Sequence, residues 1–198
     1  MIAIVDYRAG NLTSVKKALD RVGAESFVTS DPEAIAGASK IVLPGVGHFA
    51  STGVLASSGM SDAIAAAIRR DVPFLGICVG MQWLFETSEE SPATRGLGLF
   101  AGQCEHFPAH VKSPHVGWND LLLKSDSRLL AGIPINSFVY FTHTYRAPVG
   151  PGSVAQTEYG GAFSAAVERE RVFGVQFHPE KSGEVGLAIL RNFHELPC

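Results

Sequence analysis

Cys78 lies where the sequence predicts a buried strand that turns sharply into a helix. The apolar run 72–77 has the length of a strand that is covered on both faces. The pattern Gly76-x-Cys78-x-Gly80 follows, and the apolar spacing over 81–85 is typical of one face of a helix. Strand, turn and helix in this order form the layout of a nucleophile elbow, with sulfur in place of oxygen.

The chemistry of such a turn favours catalysis by the cysteine. Flanking glycines permit strained backbone angles and keep side chains away from a substrate. A thiol at a helix N-terminus lies near unpaired N–H groups and the positive end of the helix dipole, which favour the thiolate. The same amides, beginning with that of Val79, can donate to an oxyanion. The alternative is a small buried hydrophobic residue at a strand end, as most lone cysteines are.

The first half of the chain alternates strands with helices. Strands are predicted at 2–5, 24–28, 40–43 and 74–77, and helices at 12–22, from Asp31-Pro32 onward and at 61–70. This alternation predicts a mostly parallel, flavodoxin-like α/β sheet with helices on both faces. Its strands end in loops that carry Asp6, the segment Pro44–Gly47 and Cys78. Because open α/β sheets hold ligands at the carboxyl ends of strands, we expect these loops to form one site.

The second half of the chain has a different pattern. Short apolar segments separated by Gly, Pro and Ser predict antiparallel hairpins added to the parallel core. These segments are 100–107, 116–123, 137–141, 154–158, 165–168 and 172–177. A closing helix is predicted at 181–193. No repeat, low-complexity tract or linker interrupts the sequence, so we expect one domain over residues 1–198.

Bulk properties argue against several classes of protein. A net charge of −3 gives no general attraction to nucleic acid or to an anionic membrane. No apolar run approaches the roughly 18 to 20 residues that cross a bilayer, and the N-terminus reads as a strand without a basic leader. Cys78, Cys104 and Cys198 show neither even pairing nor Cys-x-x-Cys spacing, which argues against disulfides and structural zinc. We therefore expect a cytoplasmic protein without metal or cofactor.

His178 and Glu180 form the second informative pattern. A strand is predicted to run directly into His178, and Pro179 restricts the residue before it to extended geometry. Residues two apart in an extended segment project to the same side, so Glu180 can reach one imidazole nitrogen. A carboxylate that orients a histidine, which in turn activates a thiol, makes a Cys–His–Glu triad. The alternative is a solvated loop histidine followed by a helix-capping glutamate.

Three motifs together resemble the class I (triad) glutamine amidotransferases. They are Pro44-Gly45-Val46-Gly47, Gly76-Ile77-Cys78-Val79-Gly80-Met81-Gln82 and Gln176-Phe177-His178-Pro179-Glu180. More narrowly, the chain is similar to the glutaminase subunits of imidazole glycerol phosphate synthase. That likeness rests on Asp6-Tyr7, Gly10-Asn11-Leu12, the run from Pro44 through Phe49, Tyr140-Phe141-x-His143 and His178-Pro179-Glu180-Lys181-Ser182. It extends from the N-terminus to the last predicted helix.

The resemblance implies that L-glutamine is hydrolysed to glutamate and ammonia through a glutamyl thioester. Cys78 would be the nucleophile, His178 the general base and then acid, and Glu180 the residue that orients His178. Substrate-binding and oxyanion roles would fall to Gly45, Val46, Gly47, Val79, Gln82, Glu90, His143, Thr144 and Tyr145.

The resemblance also implies a protein partner. Ammonia in neutral water is mostly protonated and a poor nucleophile, so the glutaminase would deliver it to a cyclase subunit within a heterodimer that serves histidine biosynthesis. Asn11, Trp118 and Lys181 match positions near that partner. Two positions depart from the family pattern: Arg8 stands where a small residue is expected, and Thr144 stands where serine is more usual.

Two other functions stay open on the sequence alone. One is a triad glutaminase that serves a different synthase, such as one for pyridoxal phosphate or anthranilate. Lys181-Ser182 and Gly10-Asn11-Leu12 favour the histidine pathway over that alternative. The other is a catalytically silent α/β regulatory module, against which an intact triad argues.

Other histidines, glutamates and cysteines are expected to have structural or surface positions. No carboxylate spacing near the histidines suggests a metal. We expect His48 at the start of a helix, His106, His110 and His115 on the surface, and His143 in a structural or substrate-adjacent position. Glu89-Glu90 is expected at a solvated helix end unless the family role of Glu90 holds. Cys104 is expected to be inert and Cys198 to be exposed.

Overall fold

The computed structural model describes residues 1–197, so the expectation for Cys198 falls outside the described residues. Within them the chain forms thirteen strands and six α-helices. The strands are β1 (Ile2–Val5), β2 (Ser26–Thr29), β3 (Lys40–Gly45), β4 (Phe74–Cys78), β5 (Phe85–Ser88), β6 (Phe100–His106), β7 (His115–Asp120), β8 (Leu122–Leu123), β9 (Phe138–His143), β10 (Tyr145–Arg146), β11 (Ser153–Glu158), β12 (Ala162–Arg169) and β13 (Val172–Val175). The helices are α1 (Leu12–Arg21), α2 (Pro32–Ala36), α3 (Gly53–Ser57), α4 (Met60–Arg69), α5 (Val79–Gln82) and α6 (Gly183–Glu195), with 3-10 turns at Phe49–Thr52 and Pro179–Lys181.

The largest sheet confirms the predicted fold class. Its strand order is β2-β1-β3-β4-β13-β12-β11-β8. The first five strands are parallel, in the order that flavodoxin-like folds show. The last three strands add the predicted antiparallel extension. Two smaller sheets, β10-β6-β5 and β7-β9, complete the second half of the chain.

Burial explains why the parallel strands lie at the centre. Every residue of β1, β3, β4 and β13 is buried, as expected for strands that helices cover on both faces. Helix α1 packs against α6, and α2 packs against α4. Helix α2 begins as the sequence predicts, because the Asp31 side chain accepts a hydrogen bond of 3.0 Å from the Glu33 amide and Pro32 occupies the first turn.

The strand ends that were expected to form a site are neighbours in the sheet. Gly45 at the end of β3 pairs with Cys78 at the end of β4. On the other side of β4, Ile77 pairs with Val175 at the end of β13. The segment that follows β13 therefore leaves the sheet beside Cys78, and it carries His178.

One prediction of local structure is wrong: the helix after Cys78 ends at Gln82, and Phe85 begins strand β5. The carbonyl of Trp83 accepts a hydrogen bond from the Leu97 amide, and that of Phe85 accepts from Gly98. These carbonyls would bond amides four residues later in a continued helix. Backbone amides of segment 97–100 bond these carbonyls instead, and Phe100 pairs with Phe85 in a parallel ladder.

Other boundaries shift by a few residues. Strand β3 includes Pro44 and Gly45, which were expected to end it, and β13 stops at Val175, before Phe177. Helix α3 was not predicted. None of the helices formed by residues 1–197 combines the length and apolar composition that a membrane crossing requires.

Candidate active site

Cys78 forms the sharp turn with its own backbone. It is the last residue of β4 and the N-cap of α5, with a φ of 55° and a ψ of −109°. Such sparsely populated angles cluster at functional sites. The flanking glycines were expected to adopt the strained angles, and this is wrong: they permit close packing instead. A Cβ on Gly76 would collide with the Gly80 carbonyl, and one on Gly80 would collide with the Leu43 carbonyl.

His178 and Glu180 contact each other as predicted, but through a different local structure. Nδ1 of His178 and Oε1 of Glu180 are 2.8 Å apart, and both side chains are 1% exposed. Glu180 reaches the ring from the 3-10 turn Pro179–Lys181 rather than from an extended segment. The His178 amide also donates to the Tyr140 carbonyl at 2.9 Å, which ties the histidine to strand β9.

Ser182 holds the backbone around His178 through two hydrogen bonds of its hydroxyl. Its hydroxyl donates to the His178 carbonyl at 2.6 Å and accepts a hydrogen bond of 3.0 Å from the Tyr140 amide. Ser182 is 1% exposed. The backbone of His178 is therefore held at both its N–H and its C=O.

The electrostatics of His178 favour its charged form. Burial alone lowers the pKa of this imidazole, but its interactions with Cys78 and then with Glu180 outweigh burial and raise the pKa to about 9. Since Glu180 occupies Nδ1, Nε2 is the nitrogen that can exchange a proton with sulfur. Nε2 is buried and has no partner in hydrogen-bond geometry among residues 1–197. The ring is thus poised to hold a proton next to a cysteine.

A cavity of about 340 Å³ opens beside Cys78. It is lined by eight of the nine residues that were predicted to bind substrate or to stabilise the oxyanion: Val46, Gly47, Val79, Gln82, Glu90, His143, Thr144 and Tyr145. The ninth, Gly45, lies outside the cavity wall and pairs with Cys78 in the sheet. Pro114 and Thr142 also line the cavity and were not predicted. Thr142 is the unspecified position of the motif Tyr140-Phe141-x-His143 in β9, so the motif gave it no role and only the fold shows that it lines the cavity.

The side chain of Gln82 has one polar atom left for a ligand in this cavity. Its Nε2 donates to the Tyr145 carbonyl at 2.8 Å and to Oε1 of Gln176 at 3.1 Å. Both hydrogens of the amide are used in these bonds, so the Gln82 oxygen is the atom that it can offer to a ligand. Gln82 would therefore bind a donor, such as an ammonium group.

Glu90 lies in a turn after β5, so the alternative of a solvated helix end is wrong. Its Oε2 accepts a hydrogen bond of 2.6 Å from the Phe49 amide, and the residue lines the cavity. Phe49 begins the 3-10 turn that His48 caps, with the His48 Nδ1 accepting from the Ala50 amide at 3.1 Å. A carboxylate at this wall favours a positively charged ligand group.

His115 is a buried partner of His143, and the expectation that it lies on the surface is wrong. It is 4% exposed, because β7 pairs with β9 in a register that places the two histidines opposite each other. The His143 Nδ1 donates to the Tyr145 carbonyl at 2.9 Å, so its Nε2 accepts from the His115 Nδ1 at 3.0 Å. Nε2 of His115 in turn accepts from Asn119 at 3.3 Å.

This histidine pair is held neutral inside an aromatic cluster. The His115 ring stacks on Tyr159, with ring centroids 4.1 Å apart, and on Phe141 at 4.9 Å. Burial lowers the pKa of His115 to about 4 and that of His143 to about 3. The pair therefore shapes the cavity wall through a fixed chain of hydrogen bonds.

The remaining candidates have positions that fit the sequence expectations. His106 and His110 are exposed. Cys104 is fully buried, and burial raises its thiol pKa, which makes it unreactive. No group of three His, Cys, Asp or Glu residues that could hold a metal occurs among residues 1–197.

Two of the three predicted interface residues, Trp118 and Lys181, have Tyr140 as a common neighbour. Trp118 is 55% exposed on β7, and its ring meets Tyr140 edge-on at 6.0 Å. The Lys181 ammonium lies 5.8 Å from the same tyrosine ring. Asn11 is partly buried at the start of α1.

Arg8, which departs from the residue expected at this turn, adopts a strained backbone conformation. Its φ of 66° lies in the left-handed region, where a glycine is favoured. The turn is held by the Arg8 amide, which donates to Oδ1 of Asp6 at 2.8 Å.

Comparisons with known proteins identify related sequences and folds. Residues 3–196 match the family described as glutamine amidotransferase class-I. The chain is 48% identical over 198 residues to the imidazole glycerol phosphate synthase subunit HisH of Pyrococcus furiosus, with 98% of both chains covered. It is 45% identical over 197 residues to that of Methanothermobacter thermautotrophicus, with 99% of this chain and 98% of the relative covered. PurLQS from Thermotoga maritima shares the fold, with a TM-score of 0.76 at 20% identity over 97% and 96% of the two chains.

Proposed function

The chain belongs to the class I glutamine amidotransferase family, and we propose that it is the glutaminase subunit of an imidazole glycerol phosphate synthase. In this role it hydrolyses L-glutamine to glutamate and delivers ammonia to a cyclase partner in histidine biosynthesis. The observation that carries the proposal is the buried His178–Glu180 pair, which interacts with Cys78 behind the wall of the cavity that Cys78 lines. The names of the relatives favour this pathway over synthases for pyridoxal phosphate or anthranilate.

The first half-reaction would form a thioester. The Cys78 sulfur attacks the side-chain amide carbon of glutamine, and the carbonyl electrons move to oxygen. His178, which holds a proton at Nε2, gives that proton to the amide nitrogen, so that the C–N bond breaks and ammonia leaves. The raised pKa of His178 supports this role, because the ring is protonated at neutral pH before attack.

The second half-reaction would return the enzyme to its starting state. Water gives a proton to His178 Nε2 as its oxygen attacks the thioester carbonyl. The C–S bond then breaks, the electron pair returns to sulfur, and glutamate is released. Glu180 holds Nδ1 throughout and stabilises the imidazolium, which is consumed in the first half-reaction and formed again in the second.

Backbone amides would stabilise the oxyanion in both steps. The amide of Val79 lies in the first turn of α5, where helix amides lack a partner four residues earlier. We propose a second donor from the Gly45–Val46–Gly47 segment, which borders the same cavity. The oxygen of Gln82 and the carboxylate of Glu90 would bind the α-ammonium group of glutamine.

The partner would dock on the outer face of the β7–β9 ribbon. Val116, Trp118 and Phe138 on this ribbon are each more than half exposed, which is unusual for large apolar side chains on a free surface. Tyr140 links that face to the site, because its backbone bonds His178 and Ser182. We propose that Asn11, Trp118 and Lys181 contact the cyclase in a heterodimer.

Two further proposals concern the chain as a whole. The first is that residues 1–198 form one glutamine amidotransferase domain, which the continuous cluster of buried hydrophobic side chains within residues 1–197 supports. The second is that the protein functions in the cytoplasm, which the free cysteines Cys78 and Cys104 and the biosynthetic role of its relatives support.

The decisive experiment measures glutamate release from glutamine by this chain alone, with the cyclase subunit, and with both the cyclase and its nucleotide ligand. We expect a low basal rate that rises strongly when partner and ligand are both present. A substantial rate that the cyclase leaves unchanged would point to a different synthase. No release under any of these conditions would overturn the glutaminase assignment.

A further inference from the structure

We propose that Gln176 is a catalytic residue whose side-chain amide donates a hydrogen bond to the Cys78 sulfur and stabilises the thiolate. This inference rests on the proposed function, because it takes Cys78 as the nucleophile. Gln176 belongs to the segment that carries His178, but neither its spacing nor its residue type assigns it a role.

The contact is direct and buried. Nε2 of Gln176 lies 3.7 Å from Sγ of Cys78, and the glutamine is 0% exposed. Sulfur is a larger atom than oxygen, so this separation suits an N–H···S hydrogen bond. A donor to an anion counts for more in a buried site than in water.

The orientation of the Gln176 amide is fixed by its neighbours. The Tyr145 carbonyl can only accept, so Gln82 must present its NH₂ group there. The same NH₂ group contacts Oε1 of Gln176. Gln176 therefore presents oxygen to Gln82 and its own NH₂ group to sulfur. A flipped amide would place two NH₂ groups face to face.

The backbone holds this side chain in register with the nucleophile. Gln176 directly follows β13, whose last residue pairs with Ile77 next to Cys78. The backbone N–H of Gln176 donates to the Ala165 carbonyl on β12 at 2.9 Å. The donor is thus positioned by the central sheet and not by a mobile loop.

A second contact at the sulfur has the opposite preference. The Thr142 carbonyl lies 4.0 Å from Sγ and can accept a hydrogen bond from a neutral thiol. It cannot interact favourably with a thiolate, whereas Gln176 can. Ionisation of Cys78 would therefore break one contact and strengthen the other.

The donor would act in both half-reactions. It stabilises the sulfur anion that attacks the amide carbon, and it stabilises the same anion when the C–S bond of the thioester breaks and the electron pair returns to sulfur. No further reactant is needed, since Gln176 keeps its protons throughout.

The test is the rate at which iodoacetamide alkylates Cys78, measured at that residue by mass spectrometry across a range of pH. Gln176→Met has a similar length without a donor, and we expect alkylation near neutral pH to be about tenfold slower, as the loss of one hydrogen bond to a charged group implies. Gln176→Glu should be slower still, because a carboxylate repels the thiolate. The rates should converge with that of the unchanged protein at alkaline pH, where the thiol is fully ionised.

Ser164→Ala is the matched control. Ser164 is also fully buried and donates to the Pro148 carbonyl, with no contact to Cys78. It should leave the alkylation profile unchanged. With the cyclase present, Gln176→Met should lower kcat for glutamine about tenfold and change KM by a smaller factor, since the bond acts on sulfur and the Tyr145 carbonyl still holds Gln82.

The outcomes separate the inference from the proposed function. Alkylation of Gln176→Met at the rate of the unchanged protein would overturn the inference and leave the glutaminase intact. A reduction that is equal at every pH would also overturn it, because that result indicates lost access or packing. A Cys78 in the unchanged protein that reacts no faster than an ordinary thiol would instead contradict its assignment as an activated nucleophile.

Discussion

Glu180 holds Nδ1 of His178 from a 3-10 turn, with 2.8 Å between the two atoms and with both side chains almost completely buried. This contact leaves Nε2 for the chemistry and keeps a negative charge against the ring. Together with Cys78 it makes the imidazole a stronger base than a free histidine. The pH dependence of catalysis should report that effect.

We expect kcat/KM for glutamine to fall above about pH 9, where His178 loses the proton that leaving ammonia requires. Since the Glu180 charge helps to raise this pKa, Glu180→Gln should move the alkaline limb to lower pH. The measurement is a pH profile of glutamate release by the complex with its cyclase. An unchanged limb in Glu180→Gln would show that another group controls it.

Glu180→Gln should also be milder than His178→Ala at neutral pH. The glutamine can still accept from Nδ1 through its oxygen, whereas the alanine removes a general base and acid that contribute about 10²- to 10⁴-fold. Equal losses would not support separate roles, although residues that act as a unit can give that result.

Cys78→Ala should abolish synthesis that depends on glutamine, by about 10⁴-fold or more, because no other group can form the thioester. Synthesis from added ammonium salts by the complex should persist. Cys104→Ala is the control, since that buried thiol has no proposed role in the chemistry, and it should retain use of glutamine. Glutamine use by Cys78→Ala would refute the nucleophile.

The protein should lose stability in acid because of the buried histidine pair. The pKa of His143 is depressed from 6.5 to about 3, so the folded state disfavours its charged form. Its contribution is present above about pH 6.5 and is lost as the pH falls towards 3, at up to about 1.4 kcal/mol per pH unit for one proton. The free energy of unfolding in urea should therefore be lower at pH 5 than at pH 7.

His115→Gln tests the source of that loss, because glutamine can still donate to His143 but does not titrate. It should flatten the dependence of stability on pH, to which the lowered pKa of His115 contributes. His110→Gln, on the exposed loop, should leave the slope as it is. An equal slope in all three proteins would assign the acid sensitivity to other groups.

Trp118→Ala should weaken binding of the cyclase by about 10- to 100-fold, as expected for an aromatic anchor at an interface. The stability of the free chain should change by less than about 0.5 kcal/mol, because the side chain is more than half exposed. Calorimetric titration and urea unfolding measure the two effects. Val28→Ala, at an exposed apolar residue on the edge strand β2, should change neither.

Hydrophobic pattern and turn residues were enough to predict the parallel core and the strand ends that meet at Cys78. They were enough because buried parallel strands are short and apolar, and Gly, Pro and Asp mark where they end. The sequence also predicts the contact between Glu180 and His178, but from an extended segment. In the structure a 3-10 turn that begins at Pro179 brings the two side chains together instead.

The errors come from partners that are distant in sequence. Phe85 fits one face of a helix, and only the competing bonds from segment 97–100 make it a strand residue. His115 is buried because His143 lies opposite it in the β7–β9 ladder. Local spacing carries no information on either relationship, and for the same reason it does not reveal the contact between Gln176 and Cys78.

The pairing of β4 with β13 also orders events during protein synthesis. Gln176 follows Cys78 by 98 positions, and His178 and Glu180 come later still. A nascent chain that has already extended Cys78 from the ribosome therefore carries a thiol with no base, no orienting carboxylate and no amide donor beside it. Translation of the last tenth or so of the chain, from Gln176 onward, supplies the residues that activate Cys78. A product that terminates before β13 would contain the nucleophile but could not hydrolyse glutamine.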